Sequence, residues 1–205
     1  GAWTTRDFFY TFAIWSVMMV GMMAPSAIPV LLLFNGMHAH RAEASSPTAG
    51  TLFGLGHMSV WIGFSILAAM LQWSLHQAGV LSSGMAVTSS RAAGFILIAA
   101  GVYQLTPAKS KCLTKCQSPL GFLMSNWREG ATGALQLGVR HGIYCLGCCW
   151  ALMCVLFVVG VMNLAWVAVL AAFILIEKSG LTGLRIARAG GVVIIVAGVI
   201  TAMRS

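Results

Sequence analysis

"GIYCLGCCWALMCVLFVVGVM", residues 142–162, holds no charged side chain over a length that matches one membrane crossing. A span of the hydrocarbon core needs roughly 20 apolar residues in a helix. The whole chain repeats this character. Of its 205 residues, 59% are hydrophobic and 8% charged, and the mean hydropathy is +0.90. A soluble domain carries about a quarter charged residues. A closed barrel would also satisfy its backbone in lipid, but barrels alternate apolar and polar residues, whereas these blocks are unbroken. The expected fold is all-α, a polytopic membrane protein of about six transmembrane helices forming a single integral membrane domain over residues 1–205.

Working outward, the six blocks are Phe8–Phe34, Thr51–Trp73, Met85–Leu105, Ile143–Met162, Leu164–Ile176 and Leu184–Met203. Pro25 and Pro29 interrupt the first, and Arg91 lies near the start of the third. The stretch after Arg6 shows no small-residue cleavage site, so a retained helix is expected there. Asn163 suits a tight turn between blocks four and five, and "SNWREGATGALQLGVRHG" (125–142) reads as an amphipathic lead-in to block four. The halves, about 1–106 and 126–205, are joined by a basic, cysteine-containing loop, 107–125. Each half holds three blocks and opens with a longer one carrying a break, "MMAPSAIPV" in the first and "CLGCCWALM" in the second. Two inverted three-helix repeats would produce that pattern and bring the breaks together near the midplane. Ordinary helices kinked by Pro and Gly explain it as well.

The net charge of +8 comes from cations at block ends, the arrangement that orients a membrane protein. Nucleic acid is not an expected partner. Loops 1, 3 and 5 carry Arg41, Lys109, Lys111, Lys115, Arg128, Arg140, Lys178, Arg185 and Arg188, against Arg6, Arg91 and Arg204 on the other side. By the positive-inside rule both termini lie outside a multi-pass protein of the cell inner membrane, and the Cys112–Cys116 loop is cytoplasmic.

All six cysteines fall between 112 and 154. Cys145, Cys148 and Cys149 stand at i, i+3 and i+4, with His141 one turn earlier, so a helix would put all four on one face. Thiolate and imidazole donors select soft ions, copper first and zinc as the alternative. Burial as small apolar groups is the plain alternative, with no metal at all, and Cys154 reads as filler. Cys112 and Cys116 are a second pair, flanked by Lys109, Lys111 and Lys115, cations that lower a thiol's pKa. Met18/Met22 and Met19/Met23 form thioether ladders in block one, of which Met22 and Met23 are candidate soft ligands. Pro25 and Pro29 free carbonyls there, and Ser26 is placed to line the opening. His38 and His40 form HxH at the end of this block, while His57 and His76 are isolated. Glu177, an acid at the membrane boundary, reads either as a functional group or as the simple partner of its neighbour Lys178 at the interface. With four acidic residues in the chain and no nucleotide-binding or nucleophile motif, a hydrolase or a nucleotide-dependent enzyme is not expected.

"MMVGMMAPSAIP" (18–29), "YQLTPAKSKCLTKC" (103–116), "HGIYCLGCCWALM" (141–153), "MNLAW" (162–166) and the Glu177-Lys178 pair together resemble a family of predicted metal-binding integral membrane proteins, a domain of unknown function. The resemblance covers most of the chain and implies metal binding. The chain is also similar, more faintly, to the LysE-like and cytochrome-c-biogenesis transmembrane carriers, which place a cysteine in each Pro-broken half. Here Ser26 stands where such carriers would have that cysteine, which favours metal over electron transport. The leading expectation is soft-metal (copper) binding at His141, Cys145, Cys148, Cys149, Cys112, Cys116, Met22 and Met23, in metal transport or in delivery to a membrane metalloenzyme complex. A membrane thiol–disulfide oxidoreductase and an accessory subunit of a larger membrane enzyme complex are the alternatives.

Overall fold

A computed structural model describes residues 4–40, 47–82, 86–180 and 182–204; Arg41, Glu43 and Met85, and the side chains of His38 and His40, lie outside what is described. Eight helices are found among the described residues: α1 Thr5–His40, α2 Pro47–Gln77, α3 Ser90–Leu105, α4 Pro107–Gln117, α5 Pro119–Asn126, α6 Gly130–Val159, α7 Leu164–Lys178 and α8 Gly183–Met203.

Four of these are long and apolar enough to cross a membrane: Thr5–Met37, Thr48–Gln77, Gly130–Val159 and Gly183–Met203. The other two apolar blocks give the 16-residue α3 and the 15-residue α7. At 1.5 Å per residue these reach about 22–24 Å, short of a hydrocarbon core of about 30 Å. The expected break in each half is absent. Helix α1 runs through Pro25 and Pro29, and α6 runs through the cysteine segment. Each proline removes one donor from the helix. The carbonyls left without that donor are those of Gly21 and Pro25, and between the two prolines Ser26 Oγ donates to the Met23 carbonyl at 2.8 Å.

The basic connection expected as a loop is instead two short helices. Thr106 caps α4, its side chain accepting from Lys109 N at 3.3 Å, and Pro107 follows at the first helical position. Ser118 and Pro119 open α5 in the same order. The proline presets the backbone in both, while the side-chain cap that satisfies an orphan donor is made by Thr106 and not by Ser118. Asn163 does cap α7, accepting from Trp166 N at 3.4 Å.

Helix α6 is the centre of the bundle, with α2 on one side, α3 and α4 around it, and α1 reaching it through side chains such as Trp15 on Phe157. Two helix pairs approach backbone to backbone because glycine supplies no side chain between them. A Cβ on Gly101 of α3 would lie 2.7 Å from the Gly191 carbonyl of α8, and one on Gly94 2.7 Å from that of Gly198. On the other side of the bundle, Gly138 of α6 lies against the Phe53 carbonyl of α2. The core that results packs Trp15, Met19, Met23 and Trp61 against Cys145, Cys148, Cys149 and Leu152. Trp15 Nε1 donates to Gln72 Oε1 at 2.5 Å, joining α1 to α2 inside it.

Candidate metal centre

The i, i+3, i+4 spacing on α6 turns Cys145, Cys148 and Cys149 inward, all buried. Cys148 Sγ lies 3.3 Å from Cys149 Sγ and donates to the Cys145 carbonyl at 3.1 Å. Cys116, carried by α4, brings its Sγ to 3.9 Å from Cys148 Sγ. Cys145 Sγ neighbours Cys149 and the His57 ring, and stands 3.9 Å from Ser26 Oγ on α1.

Lys178, at the end of α7, reaches into this group. Its Nζ lies 3.0 Å from Cys145 Sγ, 3.1 Å from Ser26 Oγ and 3.9 Å from Met23 Sδ. It does not pair with Glu177, as the adjacent positions suggested. Glu177 binds Lys109 instead, Oε2 to Nζ at 2.7 Å, with each side chain 1% exposed. Gln104 closes the network, donating to Glu177 Oε1 at 2.9 Å and accepting from Lys109. Gln117 Nε2 donates to the Glu177 carbonyl at 2.7 Å, tying α4 to α7.

Cys112 takes a different place from Cys116. Its Sγ packs on Gly147, where a Cβ would sit 2.8 Å away. The flanking lysines do not lower its pKa as the sequence suggested, because Lys109 is buried on Glu177 and both Lys111 and Lys115 are exposed to solvent. Burial pushes the Cys112 thiol up instead.

His141 turns to a partner 84 positions away, its Nδ1 3.0 Å from His57 Nδ1. Phe53 and Phe122 flank its ring, at centroid distances of 5.9 and 5.3 Å. Both Nε2 atoms of this pair are buried with no hydrogen-bond partner. The eight candidates thus divide by position. Cys145 and Met23 touch the Lys178 ammonium, and Cys149, Cys148 and Cys116 follow from Cys145 sulfur by sulfur; His141 adjoins them through His57; Cys112 lies on Gly147; Met22 lines a separate apolar groove with Met18 and Val161. Among the described residues, no three His, Cys, Asp or Glu side chains already converge around a single point. A cavity of about 460 Å³, lined by Pro25, Ser26, Pro29, Cys116, Gln117 and Lys178, opens onto the sulfur group from outside.

A family model described as PpoB2, copper chaperone, matches residues 12–201. The chain belongs to the PpoB2 copper-chaperone family. No curated protein and no solved structure matches it. The span shared with the copper chaperones takes in every residue of the sulfur group, from Met23 to Lys178.

Motif reading assigned neither His57 nor Lys178 to the centre. His57 is a single histidine in an apolar helix, and only the α2–α6 packing through Gly138 and Gly142 brings it to His141. Lys178 carried a signal, since a lysine directly after a membrane-boundary acid can pair elsewhere once another cation takes that acid. Exposure should order the thiols. A water-soluble maleimide is expected to modify Cys112 and Cys116 on the native protein while Cys145, Cys148 and Cys149 react after denaturation, read by peptide mass. Equal labelling of all five would contradict the buried placement.

Proposed function

We propose that the protein is an integral membrane copper chaperone that holds Cu(I) on its sulfur group and passes it to a membrane metalloenzyme. The observation that carries this reading is the 3.9 Å between Cys116 Sγ and Cys148 Sγ. A metal–sulfur bond of about 2.3 Å places two sulfurs sharing one ion about 3.8 to 4.6 Å apart, from tetrahedral to linear. The pair is therefore already at bridging distance, and a soft thiolate pair suits Cu(I). Cys145, Cys149 and Met23 stand by as further soft donors, and the cavity beside Cys116 gives an entry path. Zinc is the alternative cargo for the same donors.

The membrane reading rests on the four long apolar helices and on the apolar side chains that they and α3 present outward, among them Leu32, Leu67, Phe95 and Val193. In water such a surface would drive association; in lipid it is solvated. The topology with both termini outside and α4 at the cytoplasmic face makes the cavity a cytoplasmic entrance. Six crossings would require α3 and α7 to span as short, partner-covered helices within one membrane domain.

The test is metal content by mass spectrometry on full-length protein purified in detergent with thiols reduced and without a metal-affinity step. About one copper per chain is expected, lost in a Cys116→Ser/Cys148→Ser variant that remains folded. A chain that takes up no copper from a Cu(I) donor, or a double variant that binds it unchanged, would overturn the reading. The same thiol contact lies within reach of a disulfide, the oxidoreductase alternative; intact mass after alkylation of the denatured, unreduced protein separates the two, because a disulfide blocks alkylation of both cysteines while buried thiols become reactive.

A further inference from the structure

We infer that Lys178 is the fixed counter-charge of the cargo, so that the centre is matched to a monovalent metal held as a monoanionic bis-thiolate. This rests on the copper reading above and adds the charge state of what is bound.

The argument is an inventory of charge around the sulfurs. Lys109 and Glu177 neutralise each other at 2.7 Å, and Gln104 saturates both. Among the described residues no carboxylate then lies within ion-pair distance of Lys178. Its ammonium instead faces Cys145, Ser26 and Met23, with Cys149, Cys148 and Cys116 following within range of its charge. An ammonium held among apolar groups and sulfurs, away from water, is unfavourable unless an anion joins it. The sulfur group is where that anion forms.

Loading balances as follows. Cys116 and Cys148 each lose the proton of an S–H bond, two S–Cu bonds form to one Cu(I), and both protons leave to water through the cavity. No electron is transferred. Two thiolates and one monovalent cation leave a net charge of −1, which the ammonium of Lys178 cancels. A divalent ion on the same two thiolates would be neutral and leave Lys178 unmatched; it needs a third thiolate to reach the same balance. The centre therefore discriminates by charge as well as by softness.

The experiment uses full-length protein in detergent micelles, titrated anaerobically with Cu(I) against a bicinchoninate competitor and separately with Zn(II) against a fluorescent chelator. Lys178→Met is expected to weaken Cu(I) binding about tenfold or more, while Zn(II) binding stays the same or tightens. Lys178→Arg keeps the charge and should hold Cu(I) within about threefold of the parent. Gel filtration accompanies each variant, and Lys178→Gln serves if the Met variant does not fold. The ratio of Cu(I) to Zn(II) affinity is the deciding readout, because lost packing alone would lower both. If the uncharged variants bind Cu(I) as tightly as the parent or tighter, or lose both metals equally, the counter-charge role is wrong while copper binding stands. If the parent itself binds no Cu(I), the copper reading falls first.

Discussion

Glu177→Gln should lower the unfolding free energy of the detergent-solubilised protein by about 3–5 kcal/mol, the cost of breaking a buried ion pair from one side. Lys109 is fully buried, and Glu177 is the carboxylate that meets its charge. An amide at 177 still accepts a hydrogen bond but leaves the ammonium uncompensated. The companion experiment is Lys109→Met with Glu177→Leu. Removing both charges together is expected to restore stability to near the parental value, since a hydrophobic substitute often matches or exceeds a buried pair. Thermal or denaturant unfolding followed by circular dichroism reads both. Should the single and double variants be equally damaged, the network would be a packing element and not an ion pair. The single variant should also loosen Cys116, because Lys109, which loses its counter-charge, is carried on the same helix α4.

The second large effect is steric. Gly138→Val places a branched side chain against the Phe53 carbonyl, where α2 and α6 touch backbone to backbone. Overpacking costs about 1–3 kcal/mol where side chains can yield, and here the obstacle is main chain, so the upper end or beyond is expected. Helix α2 would be displaced, and the His57–His141 contact with it. Gly21→Ala is the control. A Cβ there meets nothing within 4 Å, so the change should be neutral or stabilising by up to about 1 kcal/mol through helix propensity. Unfolding midpoints of the two variants on the same preparation decide the matter; similar midpoints would argue against the close α2–α6 approach.

How much of this was legible beforehand differs from residue to residue. Cys145, Cys148 and Cys149 could be placed on one face from spacing alone, because a helix fixes which neighbours align. Six of the eight helices described lie on the apolar blocks, so the all-helical class was readable too, while α4 and α5 formed where a loop was expected. The partners were not. Cys116 meets Cys148 across 32 positions, Lys109 meets Glu177 across 68, and His57 meets His141 across 84. No local rule relates such positions; they are products of helix packing. Pro25 and Pro29 misled in a specific way. They mark lost hydrogen bonds, yet the helix continues, since in apolar surroundings the remaining donors and Ser26 have nowhere better to bond. The apolar blocks of α3 and α7 were visible, but whether about 16 residues suffice to span is a question of length that hydropathy does not answer.

The engagement of Glu177 by Lys109 has one more consequence. Magnesium and calcium need clusters of oxygen ligands, carboxylates foremost. The chain owns four acidic residues, and the one beside the sulfur group is already bound to an ammonium and an amide. Among the described residues the cavity therefore offers hard cations no free carboxylate to lodge on, and weak magnesium and calcium binding there is the expected result.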